Sequence, residues 1–170
     1  MATVTLKGNE CNLAGTELNV GDAAPQTTVV NSEGLADKVV GGSSDKVQLL
    51  VVVPSLDTPV CASETRAFNE KAAGIDGVDV TVISMDLPFA AGRFCTAEGI
   101  SNLTVASDFR NKDFANNYGV LIADGPLAGV TARAIFVVGK DGNITYKELV
   151  GEITAEPEYE DAIAAAKAAV

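Results

Sequence analysis

Residues 46–53, KVQLLVVV, close on an unbroken apolar, β-branched run. A strand with one wet face alternates apolar and polar residues, so an uninterrupted run belongs to a strand covered on both sides. Pro54 stops it, because proline lacks the N–H that a central strand must donate. The rest of the chain must therefore supply a layer for each face of a sheet. Residues 61–73 read as a helix, with Phe68 and Ala72 four apart on one face and Gly74 placed to end it. Residues 78–85 (VDVTVISM) read as a second strand and residues 27–31 as a short one.

Further along, residues 90–98 form a short predicted helix stopped by Gly99, with a brief strand at 103–106. Residues 111–118 look helical up to Gly119. Residues 133–138 and 143–150 are strands joined by Gly139-Lys140-Asp141-Gly142, a hairpin signal. The tail, residues 157–169, is an alanine-rich helix with acidic residues near its start and Lys167 near its end, as the helix dipole prefers. At the other end, residues 3–6 and 11–13 flank Gly8-Asn9 and form a small hairpin. The expected fold class is α/β, a central mixed β-sheet flanked by helices with a short N-terminal β-hairpin. With 170 residues and no linker or internal repeat, residues 1–170 read as a single domain.

Composition narrows the chemistry. The chain has no histidine, which removes Ser-His-Asp and Cys-His nucleophile pairs and histidine-ligated metals. Its three cysteines include no Cys-x-x-Cys pair, so a structural zinc site is not expected. An odd cysteine count in a small chain points to redox chemistry or to inert buried thiols. A net charge of −11 argues against nucleic acid and against anionic membrane surfaces, and reads most simply as solubility. No apolar run approaches the ~20 residues that span a membrane. The N-terminal MATVTLK has neither a basic segment nor a long apolar one, so a cytoplasmic location is expected. Thiol, carboxylate, hydroxyl and guanidinium groups remain to carry chemistry.

They converge on the segment after the buried strand, Pro54-Ser55-Leu56-Asp57-Thr58-Pro59-Val60-Cys61. With Pro59 as the first helical residue, Thr58 is the N-cap and Cys61 lies in the first turn. There the unpaired backbone N–H groups and the positive helix end favour thiolate over thiol. A thiolate is the species that attacks a peroxide O–O bond, and the Thr58 hydroxyl can lie near the sulfur and bond a peroxide oxygen. Arg133 sits inside an apolar strand pattern, where a permanent charge is costly unless it meets an anion. A thiolate would serve, and so would an ordinary carboxylate.

The spacing Pro54-x-x-x-Thr58-x-x-Cys61 matches the peroxiredoxin active-site motif. Its flanks, Ser55 to Cys61 and Glu64-Thr65-Arg66-x-Phe68-Asn69, resemble the thiol peroxidase branch of that family. So do Ser84-Met85-Asp86-Leu87-Pro88-Phe89-Ala90, Arg93-Phe94-Cys95, Asp113-Phe114-Ala115-x-x-Tyr118-Gly119-Val120 and Ala132-Arg133-Ala134-Ile135-Phe136-Val137. The resemblance implies a thioredoxin-like fold and a hydroperoxide substrate. Cys61 then matches the peroxidatic cysteine that becomes a sulfenic acid, and Thr58 the hydroxyl that aligns the peroxide. Pro54 matches the proline shielding the pocket, Arg133 the arginine stabilising thiolate and transition state, and Cys95 the resolving cysteine of an intrachain disulfide. It also implies a homodimer recycled by thioredoxin, with no cofactor required.

A disulfide needs Cα atoms roughly 4.4–6.8 Å apart. An intact helical turn at Cys61 and a separate helix at Cys95 are often farther apart. The first turn is therefore expected to unwind while residues 90–99 shift, eased by Gly92 and Gly99. Two other functions compete. A thioredoxin-fold disulfide reductase wants a Cys-x-x-Cys that Cys61-Ala62-Ser63-Glu64 does not supply; a non-catalytic interaction module would make the thiols incidental. Cys11 reads as structural. Arg66 and Arg93 read as supports near the cysteines or as surface ion pairs. Phe68, Phe89 and Phe94 read as packing, although an apolar rim would suit organic hydroperoxides.

Overall fold

A computed structural model describes residues 2–170. In chain order its elements are β1 (Thr3–Leu6), β2 (Asn9–Ala14), β3 (Thr27–Asn31), β4 (Asp37–Val40), β5 (Val47–Val52), α1 (Pro59–Lys71) and β6 (Val78–Ser84). They continue as α2 (Pro88–Glu98), β7 (Thr104–Ser107), α3 (Asp113–Asn117), β8 (Leu121–Ile122), β9 (Ala134–Val138), β10 (Ile144–Leu149) and α4 (Tyr159–Ala169). Seven strands form one sheet in the order β10-β9-β5-β6-β7-β3-β4. The β5–β6 and β6–β7 pairs are parallel and the others antiparallel, so the sheet is mixed and the fold is thioredoxin-like.

β5 lies between β6 and β9, and every residue of it is buried. The pleat sends Leu50 and Val52 to one face, where they join Ile83, Phe136, Phe114 and Tyr118. Leu49 and Val51 go to the other, among Val80, Ile135, Val137 and Phe68. α1 and α4 cover this second face; α3 and the N-terminal hairpin cover the first. Full burial of each such side chain contributes about 1.5–3 kcal/mol. A polar substitution at either parity of β5 would therefore damage one of the two cores.

The N-terminal hairpin turns at Lys7-Gly8, one residue earlier than expected, with both residues at positive φ (50° and 82°) as a two-residue turn of this hand requires. β8 joins β2 to make a three-stranded sheet. Two strands had no sequence signal. β8 has only two residues, and β4 is an edge strand with a single fully buried residue, Val40. α2 starts two residues before its expected position, with Pro88 in its first turn and Leu87 extended as the N-cap. Phe89 consequently stands in the first helical turn at 71% exposure, so the expectation that it packs inside is corrected. Phe68 is buried and Phe94 half-buried against the same cluster. Among the described residues no helix is long and apolar enough to cross a membrane.

Candidate active site

The junction between β5 and α1 is where the backbone changes from sheet to helix. Thr58 is extended (φ −104°, ψ 147°) and Pro59 opens the helix. Ala62 N–H donates to Thr58 O at 3.0 Å, which leaves the N–H groups of Val60 and Cys61 without intrahelical acceptors. Their positive ends lie at the turn that carries the thiol. Thr58 is the N-cap by position, but its side chain does not cap. Its hydroxyl donates to Ser55 O at 3.0 Å, so the expected contact of this hydroxyl with the sulfur is absent in this conformation. The tight loop brings the Ser55 carbonyl within reach first.

Asp86, in the loop after β6, holds that loop in place. Its carboxylate accepts from Ser55 Oγ and Leu56 N–H, both at 2.7 Å, and from Ser84 Oγ at 2.8 Å. Sequence reasoning gave Asp86 no role. An acidic residue in a loop carries no periodic signal, and only its place among matched residues set it apart.

Cys61 is fully buried, with Arg133 Nη1 donating to its Sγ at 3.2 Å. The same nitrogen donates to Glu64 Oε2 at 2.7 Å, while Nε and Nη2 both donate to Ile153 O at 3.0 and 2.8 Å. Four of the five N–H donors of a guanidinium are thus committed, and one on Nη2 has no partner among the described residues. Thr65 Oγ1 donates to Cys61 O at 2.8 Å, tightening the same turn.

Glu64 is the second residue that sequence reasoning passed over. It is completely buried, one turn after Cys61 on the same helical face, and its Oε1 has no hydrogen-bond partner. Burial pushes its carboxyl up to about 7 despite the opposing pull of Arg133. Arg133 therefore meets both kinds of partner that the sequence allowed, thiol and carboxylate. One buried cation faces two acidic groups.

Above this triad lies a cavity of about 270 Å³ whose lining includes Pro54, Thr58, Val60, Leu127, Val130 and Arg133. The structure thus brings Pro54, Thr58 and Arg133 to one opening, with Cys61 beneath Arg133. It does not join Cys95 to them. Cys95 is half-buried on α2, packs against the edge of the cluster that contains Cys61, and lines a separate cavity of about 640 Å³ with Ser32 and Thr96. Burial pushes the Cys95 thiol up, against a smaller opposing effect of the Ser32 side chain. All three cysteines are free, and Cys11 is buried under the N-terminal hairpin with Val4 and Leu13. Arg66 pairs with Glu98 at 3.0 Å, a half-exposed bridge from α1 to α2, and Arg93 is exposed with no ion pair among the described residues. The described residues contain no cluster of three or more potential metal ligands.

The Redoxin family model matches residues 19–163. A curated thiol peroxidase from Aquifex aeolicus is 56% identical over 161 residues, covering 95% of this chain and 94% of its own length. One from Leptospira interrogans is 53% identical, with each chain covered completely. Among solved structures, a peroxiredoxin-like protein from Aquifex aeolicus superposes with a TM-score of 0.96 at 54% identity, covering 100% of this chain and 98% of that one. A thiol peroxidase from Chromobacterium violaceum, at 23% identity and TM-score 0.84, covers 94% of this chain and 91% of its own and attests the fold alone.

Proposed function

The chain belongs to the redoxin family, in its thiol peroxidase branch, and on that premise we propose that Cys61 is the sulfur by which this thiol-dependent peroxidase attacks hydroperoxide. The observation that carries the assignment is the 3.2 Å bond from Arg133 to Cys61 Sγ at the first turn of α1. The thiolate attacks one peroxide oxygen and the O–O bond breaks. Its electron pair leaves with the other oxygen, which takes a proton to become water or an alcohol, and the sulfur becomes a sulfenic acid. The uncommitted N–H of Arg133 is the donor for the departing oxygen, and each well-placed donor of this kind contributes about 3 kcal/mol. Pro54 walls the cavity. Thr58 turns its hydroxyl from Ser55 O to the peroxide when substrate enters. The apolar lining from Val60, Leu127 and Val130 favours organic hydroperoxides over hydrogen peroxide.

Resolution assigns Cys95 to the second step. Its thiolate attacks the sulfenic sulfur, hydroxide leaves as water, and an intrachain disulfide forms. The peroxide is the oxidant, and thioredoxin returns two electrons to restore both thiols. For the sulfurs to meet, the first turn of α1 must open, breaking the Ala62–Thr58 and Thr65–Cys61 bonds, and α2 must move. Gly99, already at φ 67°, supplies the hinge. Mass spectrometry after one equivalent of peroxide should find a Cys61–Cys95 link within one chain and Cys11 unmodified. An interchain link, or none, removes Cys95 from the resolving role.

The homodimer that this branch typically forms has a candidate surface. Phe89 (71% exposed) and Phe109 (54%) stand with Leu35 around a groove of about 380 Å³, and Leu87 is exposed beside Phe89. Aromatic residues in a patch this exposed are characteristic of interface centres. Sedimentation should show a dimer that Phe89→Glu with Phe109→Glu converts to monomer. A monomeric parent protein, or a dimer indifferent to both changes, counts against the reading.

A further inference from the structure

Arg133, one residue before β9, is oriented by a carbonyl twenty residues further along the chain. A fork of Nε and Nη2 onto a single oxygen, Ile153 O, sets the plane of the guanidinium from the side opposite its bonds to Cys61 and Glu64. Ile153 belongs to a turn after β10, and that turn is tied to the N-terminal hairpin by several hydrogen bonds, one of them from Thr5 Oγ1 to Gly151 O at 3.3 Å. Ile153 N–H donates to Thr5 O at 2.8 Å and Thr5 N–H to Gly151 O at 2.7 Å. Glu152 Oε1 accepts from Thr5 Oγ1 and Gly8 N–H, each at 3.0 Å. Its other oxygen accepts from Thr154 N–H at 3.0 Å and Thr154 Oγ1 at 2.8 Å.

We propose that Glu152 is a positioning residue for the peroxidase reaction, strapping residues 151–154 to the β1–β2 turn so that the Ile153 carbonyl holds Arg133 toward Cys61 and the substrate cavity. The hairpin is then part of the active-site scaffold, though Thr5 and Arg133 lie far apart in sequence. Hydrogen bonds from Thr154 and from the Gly8 backbone hold this carboxylate far below the usual carboxylate range, so the strap stays charged throughout the neutral region. Glu152 itself does not line the substrate cavity, although its neighbours Ile153 and Thr154 do, and its effect reaches the reaction through the angle of the guanidinium.

The inference rests on the reading of Arg133 as the donor to thiolate and peroxide, and the experiment separates the two. Glu152→Gln keeps the shape but has a single acceptor oxygen, so it cannot accept from Thr5 and Gly8 on one side and from Thr154 on the other. Thr5→Val removes one donor to Glu152, and Thr5→Ser restores it. Rapid-mixing rate constants for oxidation of Cys61 would be measured with hydrogen peroxide and with cumene hydroperoxide, alongside Arg133→Met. Misplacement of a reacting group by about 1 Å can cost up to ~100-fold, so Glu152→Gln should be slower by about 10- to 100-fold. Thr5→Val should be slower by less, and Thr5→Ser should recover the parent rate. The fall should be equal for both peroxides, and the Thr5→Val/Glu152→Gln double variant should be no slower than Glu152→Gln alone. Folded variants with the parent rate, or a fall confined to the bulky peroxide, would overturn the positioning role. If Glu152→Gln does not fold, Thr5→Val against Thr5→Ser decides the question. An unimpaired Arg133→Met would instead overturn the underlying reading.

Discussion

Cys61→Ser should fold normally and show no hydroperoxide turnover coupled to thioredoxin. The substitution exchanges one atom in a site that is already closed to water, so packing against Phe68 and the rest of that core is nearly unchanged. The serine oxygen can still accept from Arg133, which keeps the guanidinium in place. It cannot do the chemistry, because a hydroxyl beside Arg133 stays protonated and a neutral alcohol does not cleave an O–O bond. Activity should fall to that of the buffer. Cys95→Ser makes the informative contrast: it should consume about one equivalent of peroxide in the first turnover and then stall, with Cys61 trapped as sulfenic acid or driven further up the oxidation ladder. Sustained NADPH consumption by Cys61→Ser in a thioredoxin-coupled assay would end the assignment, and with it the reading of α1 as a thiolate-activating helix.

The part of this site written plainly in the sequence is the β5–α1 junction. A β-branched run, two prolines five apart and a cysteine two residues past the second specify strand, loop and first helical turn through local backbone physics, and the structure places each of them there. Arg133 was legible as a problem, a charge within an apolar strand, although the identity of its partner was left open. Glu64 was not legible, because a glutamate on a helix ordinarily faces water, and only the tertiary meeting of α1 with the segment that carries Arg133 buries it. Ile153 was invisible for a deeper reason: its contribution is a backbone carbonyl, which every residue has. Phe89 misled because hydrophobicity reads as burial, whereas a helix that begins at Pro88 turns this ring outward.

The triad of Cys61, Glu64 and Arg133 yields the second large effect. Arg133→Met should lower the rate of peroxide reduction by about 10²- to 10³-fold, the loss of a charged donor to the departing oxygen. It should also destabilise the protein above neutral pH, where the Glu64 carboxylate would be left buried without its partner, at a cost of up to about 3–5 kcal/mol. The two losses have different origins and can be separated through Glu64. Its carboxyl is pushed up to about 7 in the folded protein by burial, against an ordinary value of 4.5. Above 4.5 the unfolded chain gives up the proton while the folded one still holds it. The stability linked to this group is thus complete below that value and lost as pH rises through about 7. Arg133→Met removes the one group pulling the carboxyl down, so its stability loss should extend to higher pH and be relieved in acid. Adding Glu64→Gln should restore stability and flatten the pH dependence without restoring the rate, since no charged donor to sulfur or peroxide returns. Urea midpoints from acidic to mildly alkaline pH, paired with rapid-mixing rates on the same four proteins, test both halves. A double variant that recovers peroxidase activity would show that Arg133 serves only to neutralise Glu64. A pH slope surviving in Glu64→Gln would mean that some other group titrates on folding.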